Sequence, residues 1–161
     1  SGYYPVEQFD VNGLYEQLNG EYAIVIKHHP FVKSRNKIKK EYRDYIIDMS
    51  ANSELNDLLF VTDLLITDYS SVVFEASLLN IPMLFYVYDL NQYIATRGFY
   101  YEYEMFVPGK IVYEFGEIAP AIQAGDFHEE KLEPFKRRFF DGLDGKSSER
   151  TVQLIYQSIE K

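Results

Sequence analysis

The stretch LLITDYSSVVFEASLLNIPMLFY, residues 64–86, decides the fold. Leu64–Thr67 is an apolar run of strand length, and it breaks at once on Asp68-Tyr69-Ser70-Ser71, residues that favour turns and helix caps. Ser71–Leu79 then carries apolar residues at helical spacing, and Pro82–Val87 is a second apolar run of strand length. A strand, a helix and a strand inside 23 residues form a crossover unit, and crossovers of this kind join parallel strands. Ser70 is placed to cap the helix, and Glu75 in its early turns complements the helix dipole.

The same alternation extends in both directions. Upstream, Leu14–Leu18 reads as helix stopped by Asn19-Gly20, Tyr22–Lys27 as a buried strand, Ile46–Met49 as a second strand, and Glu54–Val61 as a short helix capped by Ser53. Downstream come a helix near Leu90–Ala95, an aromatic loop over Arg97–Phe106, a Pro108-Gly109 turn and a strand at Ile111–Tyr113. Helices follow at Phe115–Gln123, Glu129–Phe140 and Ser147–Glu160. The expected class is α/β, a Rossmann-like parallel sheet with helices on both faces, forming one domain over residues 1–161. Ser1-Gly2 reads as a cleavage scar, and no strand precedes the first helix, as expected of a segment cut from a longer protein.

Composition narrows the function. Fifteen Tyr and twelve Phe against no Trp demand a core that buries many rings and satisfies many phenolic hydroxyls. The absence of Cys removes disulfides, thiolate metal sites and cysteine nucleophiles, and agrees with a reducing compartment. No apolar run approaches the ~20 residues needed to cross a bilayer. A formal charge of −9 argues against a general nucleic-acid binder. Residues 27–43 depart from that average: seven basic residues (Lys27, Lys33, Arg35, Lys37, Lys39, Lys40, Arg43) face one acid, Glu41, giving a local +6. That segment is either a solvated face or an anion-attracting one.

Four places have the residue types for chemistry. Asp68-Tyr69-Ser70-Ser71 falls where a parallel sheet binds ligands, past a strand's carboxyl end. It reads either as a plain cap or as a phosphate seat made of serine hydroxyls and backbone N–H groups. It lacks the glycines of a Walker loop or a dinucleotide fingerprint, so neither ATP hydrolysis nor NAD binding is supported. Lys27-His28-His29-Pro30 ends the first strand. Adjacent strand residues point to opposite faces, so one histidine is functional and the other structural. A third metal ligand is not spaced to help them, and no metal site is expected. Asp141-Gly-Leu-Asp-Gly-Lys-Ser-Ser-Glu-Arg150 is a glycine-punctuated loop into the final helix, either a plain loop or a second anion contact. Arg97 with the rings after it is either a packed lid or a platform for a base or sugar.

Taken in order, KHHP (27–30), LLFVTDLLITDYSSVVFEASLLNIPMLFY (58–86), RGFYYEYEMFVPG (97–109) and DGLDGKSSER (141–150) resemble the carboxy-terminal half of the CDP-glycerol glycerophosphotransferase family. The resemblance implies the nucleotide-binding, carboxy-terminal domain of a glycosyltransferase-B-like architecture, here without that domain's first strand. It implies a CDP-glycerol donor, transfer of glycerol phosphate to a growing teichoic acid-type polymer, and release of CMP. Work at the cytoplasmic face of the membrane follows, as a peripheral protein, with a polyol-phosphate polymer as acceptor.

By the same resemblance His29 would be catalytic, contacting or protonating the donor phosphates. Ser70 and Ser71 would seat the pyrophosphate, Asp68 would orient their turn, and Arg97, Ser147, Ser148 and Arg150 would hold the rest of the donor. No cofactor is implied, although Mg²⁺ can accompany a diphosphate. Nothing in the chain is an obvious base for the attacking hydroxyl, and the family's amino-terminal half carries a catalytic His-Gly motif that the chain lacks; the chain alone is expected to be inactive. Two alternatives stand beside this one. The first is the donor domain of a nucleotide-sugar glycosyltransferase, whose paired-glutamate motif would place a second Glu seven residues before Glu75, where Asp68 stands instead. The second is a non-enzymatic module that binds polyanions or membranes through residues 27–43.

Overall fold

The computed structural model describes residues 8–29, 32, 35–51, 54–97 and 102–159. The fold is α/β with parallel strands throughout. Helix α1 (Val11–Gln17) leads to β1 (Ile24–Ile26), β2 (Ile46–Asp48), α2 (Leu55–Leu59), β3 (Leu65–Thr67), α3 (Val72–Leu78) and β4 (Met83–Tyr86). Then follow α4 (Leu90–Arg97), α5 (Tyr103–Phe106), β5 (Lys110–Val112), α6 (Ile118–Ala124), α7 (Leu132–Phe139) and α8 (Ser147–Ile159).

Strands β3, β4 and β5 pair in that order, with Ile66 opposite Leu84 and Phe85 opposite Ile111. Every residue of β4 is buried, and its alternation sorts the core. Met83, Phe85 and Val87 enter one cluster with Val72, Val73 and Ala76 of α3, Tyr103 of α5 and Leu132 and Phe135 of α7. Leu84 and Tyr86 enter another with Leu14 of α1 and Ile118 and Ile122 of α6. A continuous apolar run therefore marks a strand covered on both faces, as the sequence predicts. Each such side chain removed from water contributes about 1.5–3 kcal/mol.

Strands β1 and β2 form a separate parallel pair, with Val25 opposite Ile47. Ile24 shares a core cluster with Leu64 and Ile66, so side chains rather than backbone bonds tie the pair to the triplet. The outer side of the pair is open, since Val25 and Ile47 are both exposed.

The turns follow from their residues. Asp10 caps α1 by accepting the Gly13 amide at 3.1 Å. Asn19 and Gly20 both take positive φ, which ends that helix. Gly109 is required for packing: a Cβ there would lie 2.3 Å from the Met83 carbonyl and 2.9 Å from the Phe85 ring. The aromatic segment is not all loop, because Tyr103–Phe106 makes one helical turn. Burial of Tyr103 and a ring contact from Phe106 to Phe74, Phe135 and Phe139 hold it. The helix after Ser53 runs only over Leu55–Leu59 with Glu54 at its cap position. Ser53 itself, and the stretch before residue 8, lie outside the described residues.

Candidate functional site

Parallel strands end on the same edge, so His28-His29 after β1, Asp68 after β3, Val87-Tyr88-Asp89 after β4 and Tyr113 after β5 all belong to the carboxyl edge. The turn after β3 is braced by hydrogen bonds from two sides. Burial pushes the Asp68 carboxyl pKa up, against the opposing pull of its own and the Tyr69 backbone N–H groups. The charge of Asp89 raises it further and that of His29 lowers it. Tyr103 donates to the Asp68 carbonyl at 2.6 Å, and the Tyr69 hydroxyl donates to Asp89 Oδ1 at 2.7 Å. Tyr69 also stacks on Tyr93 of α4, ring centroids 3.7 Å apart. Burial and its bond to Asp89 push the Tyr69 phenol up, so it remains a donor at any working pH.

The two serines divide the work differently from the sequence reading. The cap position of α3 is Ser71, yet its hydroxyl makes no capping bond. Ser70, one residue earlier, accepts the Val72 amide at 3.3 Å. Ser70 thus fixes the helix entry from outside it, and the exposed Ser71 hydroxyl takes no part.

The histidines also divide. His29 is exposed and its charge is felt at Asp68, while His28 is half-buried. The His28 amide donates to Ser50 Oγ at 2.8 Å. Burial holds its imidazole pKa below the ordinary value, and among the described residues its Nε2 has no hydrogen-bond partner.

Ser147 and Arg150 meet their own loop. Arg150 makes a forked pair with Asp144, Nη1 to Oδ1 at 2.8 Å and to Oδ2 at 2.7 Å, and reaches Ser147 Oγ at 3.2 Å. Arg150 holds the Asp144 pKa below the usual carboxylate range. Ser148 is exposed in the first turn of α8. Arg97 ends α4, and its side chain lies outside the described residues, as do residues 98–101. Among the described residues no group of three His, Asp or Glu side chains is arranged to hold a metal.

Reading the sequence missed Asp89 and Tyr93, and it took Tyr103 as one ring of a lid or platform; all three brace the turn without belonging to it. Asp89 carried a signal: it follows the buried run of β4 by two residues, at the edge where ligands bind. Tyr103 carried none, because its partner lies 35 residues away.

The chain is thus a parallel α/β domain whose carboxyl edge, where such sheets take ligands, carries an acid, a histidine and two serines. The chain belongs to the CDP-glycerol:poly(glycerophosphate) glycerophosphotransferase family, whose model matches residues 1–157. It is 44% identical to the teichoic acid poly(ribitol-phosphate) polymerase of Bacillus spizizenii, a match covering 100% of this chain and 26% of that protein. It is 41% identical to the teichoic acid glycerol-phosphate primase of Bacillus subtilis, over 91% of this chain and 38% of that one. Among solved structures, that of the wall teichoic acid polymerase TagF soaked with CDPG superposes with a TM-score of 0.75 at 30% identity, covering 99% of this chain and 41% of TagF. The chain therefore spans well under half the length of these relatives.

Proposed function

We propose that this chain is the donor-binding domain of a longer transferase that moves a polyol phosphate from its CDP-activated form to a growing teichoic acid-type polymer. The carrying observation is the carboxyl edge itself, where the braced turn bearing Asp68, Ser70 and Ser71 follows β3 and His29 follows β1. In this reading an acceptor hydroxyl attacks the β-phosphorus of the donor. A new P–O bond forms, the bond to the bridging oxygen breaks, and CMP leaves. Ser70 and Ser71 seat the pyrophosphate, and Asp68 keeps their turn in shape. His29 hydrogen-bonds or protonates the departing phosphate oxygen. Arg97, Ser148 and Lys146 are assigned to the rest of the donor. Arg150 and Ser147 join them by exchanging Asp144 for phosphate. The base for the attacking hydroxyl is assigned to the part of the protein outside this chain.

CDP-glycerol is the first-choice donor, and the 44% identity to a ribitol-phosphate polymerase gives CDP-ribitol a specific claim beside it. Mg²⁺ is expected only as a companion of the diphosphate. The acceptor, a polyol-phosphate polymer at the cytoplasmic membrane face, is part of the same proposal; no described helix is long and apolar enough to cross a membrane.

Helix α8 supports the domain assignment. Val152, Ile155, Tyr156 and Ile159 recur at helical spacing on one stripe, yet all are exposed and no residue of the helix is buried. The deciding experiment measures CMP release and chain extension by the full-length protein and by this chain, each with CDP-glycerol, CDP-ribitol and a UDP-sugar. Turnover of a CDP-polyol by the full-length protein alone is expected. Polymerisation by the isolated chain, or turnover of the UDP-sugar only, refutes the reading.

A further inference from the structure

Residues 35–39, Arg-Asn-Lys-Ile-Lys, form a segment between β1 and β2 that belongs to neither sheet. Their exposure alternates as in an extended chain: Arg35, Lys37 and Lys39 are exposed, while Asn36 and Ile38 are half-buried. Ile38 packs on the cluster of Val11, Tyr15 and Ile46, and the Asn36 side chain donates to the Phe9 carbonyl at 2.9 Å. Asn12 of α1 stands where a neighbouring strand would. Its side-chain amide donates to the Lys37 carbonyl at 2.7 Å, and its oxygen accepts the Lys39 backbone N–H at 3.0 Å. The result is a row of cations on one side of a fixed backbone. At about 3.3 Å per residue, successive cations start roughly 6.6 Å apart and the three span about 13 Å.

The row has a direction. Arg35 lies 3.9 Å from Asp48, the last residue of β2, at the carboxyl edge. Lys39 leads into a 3₁₀ turn over Lys40–Tyr42 and so to the start of β2 at the opposite edge, where Lys40 and Arg43 are exposed. Glu16 neutralises Lys39: it accepts from that ammonium at 2.5 Å and from the Tyr42 hydroxyl at 2.8 Å. Among the described residues no ion pair engages Lys37, Lys40 or Arg43. Residues 27–43 carry +6 in a chain of −9, so an extended anion is attracted here and repelled elsewhere. Cations held at short, regular intervals suit a polymer whose anions also recur at short, regular intervals, and a backbone fixed in advance spares the ordering cost of binding.

We propose that this row is a track for a phosphodiester polymer, the polyol-phosphate acceptor. Its reacting end reaches the carboxyl edge, and its earlier repeats lie along Arg35, Lys37 and Lys40 toward the opposite edge. The proposal rests on the reading of the chain as part of a polyol-phosphate transferase. It gives this chain a hold on the acceptor besides its hold on the donor, and it makes affinity grow with acceptor length until the row is filled.

The test uses the full-length protein and poly(glycerol phosphate) chains of defined length, with Kd from titration and KM from chain extension. Binding is expected to strengthen from one repeat to several and to weaken with added salt. Lys37→Gln combined with Lys40→Gln removes two exposed charge contacts worth about two- to fivefold each. That double variant should raise the polymer Kd and the acceptor KM by roughly 4- to 25-fold and leave the CDP-polyol KM within about twofold. Glu16→Gln keeps an acceptor for Tyr42 and frees the Lys39 charge, so it should tighten the polymer by about two- to fivefold, a gain that a damaged fold does not produce. Equal polymer Kd values in the parent and both variants overturn the proposal. So does a single glycerol phosphate held as tightly as the longer chains. Loss of binding to phosphatidylglycerol vesicles in the double variant, with polymer binding intact, assigns the row to an anionic lipid surface and overturns it as well. A parent protein that transfers nothing from CDP-glycerol or CDP-ribitol defeats the transferase reading itself, an outcome visible before any variant is made.

Discussion

Replacing Ser71 by Ala separates the two roles that a serine at a helix entry can have. A serine that caps a helix is worth about 0.5–2 kcal/mol. Ser71 is exposed at the cap position of α3 and its hydroxyl makes no capping bond, so truncation removes no contact within the fold. The expected change in stability is within about 0.5 kcal/mol, the usual range for such surface positions. In a domain of this size that is a melting shift of no more than about 2 °C. If the hydroxyl instead donates to a donor phosphate, its loss costs about 1.5–3 kcal/mol of binding, or roughly 10- to 150-fold in Kd. Ser70→Ala provides the contrast. It deletes the acceptor of the Val72 amide, a long bond of 3.3 Å, and should cost about 0.5–1 kcal/mol of stability in addition to binding.

The assay is a pair of measurements on the full-length protein: thermal melting without ligand, and titration with CDP-glycerol and CDP-ribitol. Ser71→Ala is expected to leave melting in place and weaken both donors; Ser70→Ala is expected to lower both quantities. A Ser71→Ala variant that melts more than about 4 °C early and binds donor as the parent does would refute the phosphate-seat argument.

Three further outcomes follow from the geometry. Gly109→Ala places a methyl against the Met83 carbonyl and must push β5 from β4; a loss of about 1–3 kcal/mol in denaturant unfolding is expected, and an unchanged midpoint would show that the turn can move freely. Phe135→Ala empties a buried ring site that touches Phe74, Phe106 and Phe139, so a cost of about 3–5 kcal/mol and early melting of the α3–α5–α7 face are expected. Asp68 has a raised pKa in the folded state, so the fold binds its proton more tightly than the unfolded chain does, and its contribution is lost as pH rises through that pKa. The stability of Asp68→Asn relative to the parent should therefore improve from about pH 4 to neutrality in urea titrations; a flat difference across that range would contradict the burial argument.

Much of the fold was legible because its signals are local. The apolar run Pro82–Val87 can only be a doubly covered strand, and Asn19-Gly20 stops α1 through backbone conformations that few other residues adopt. Where the reading fell short, a distant partner decided. Tyr103–Phe106 lacks the length and spacing of a helix, and it turns because Tyr103 is captured by the Asp68 carbonyl and Phe106 by rings of α3 and α7. Likewise Ser70 was placed as the cap from its type alone, and the structure moves the cap position one residue on while leaving Ser70 the bond.

The carboxyl edge shows why its residues were recoverable in unequal measure. A residue that would touch donor directly announces itself by type and place, as His29, Ser70 and Ser71 do after strand ends. A residue that holds those in position announces less: Asp89 is marked only by following the buried run of β4, Tyr69 only by standing in the turn, and Tyr103 by nothing that points to Asp68. Yet their three side chains join the β3 turn to the ends of β4 and to α5 through two short hydrogen bonds, at 2.7 and 2.6 Å. A ligand bound at the proposed seat would therefore be coupled to Asp89 at the end of β4. Tyr69→Phe cuts that coupling without removing the ring. It should leave the stack on Tyr93 in place while weakening intact CDP-polyol more than it weakens CMP or a polyol phosphate alone, as measured by titration of the same variant. Equal losses for all three ligands would mean that the tyrosine hydroxyl merely supports the fold.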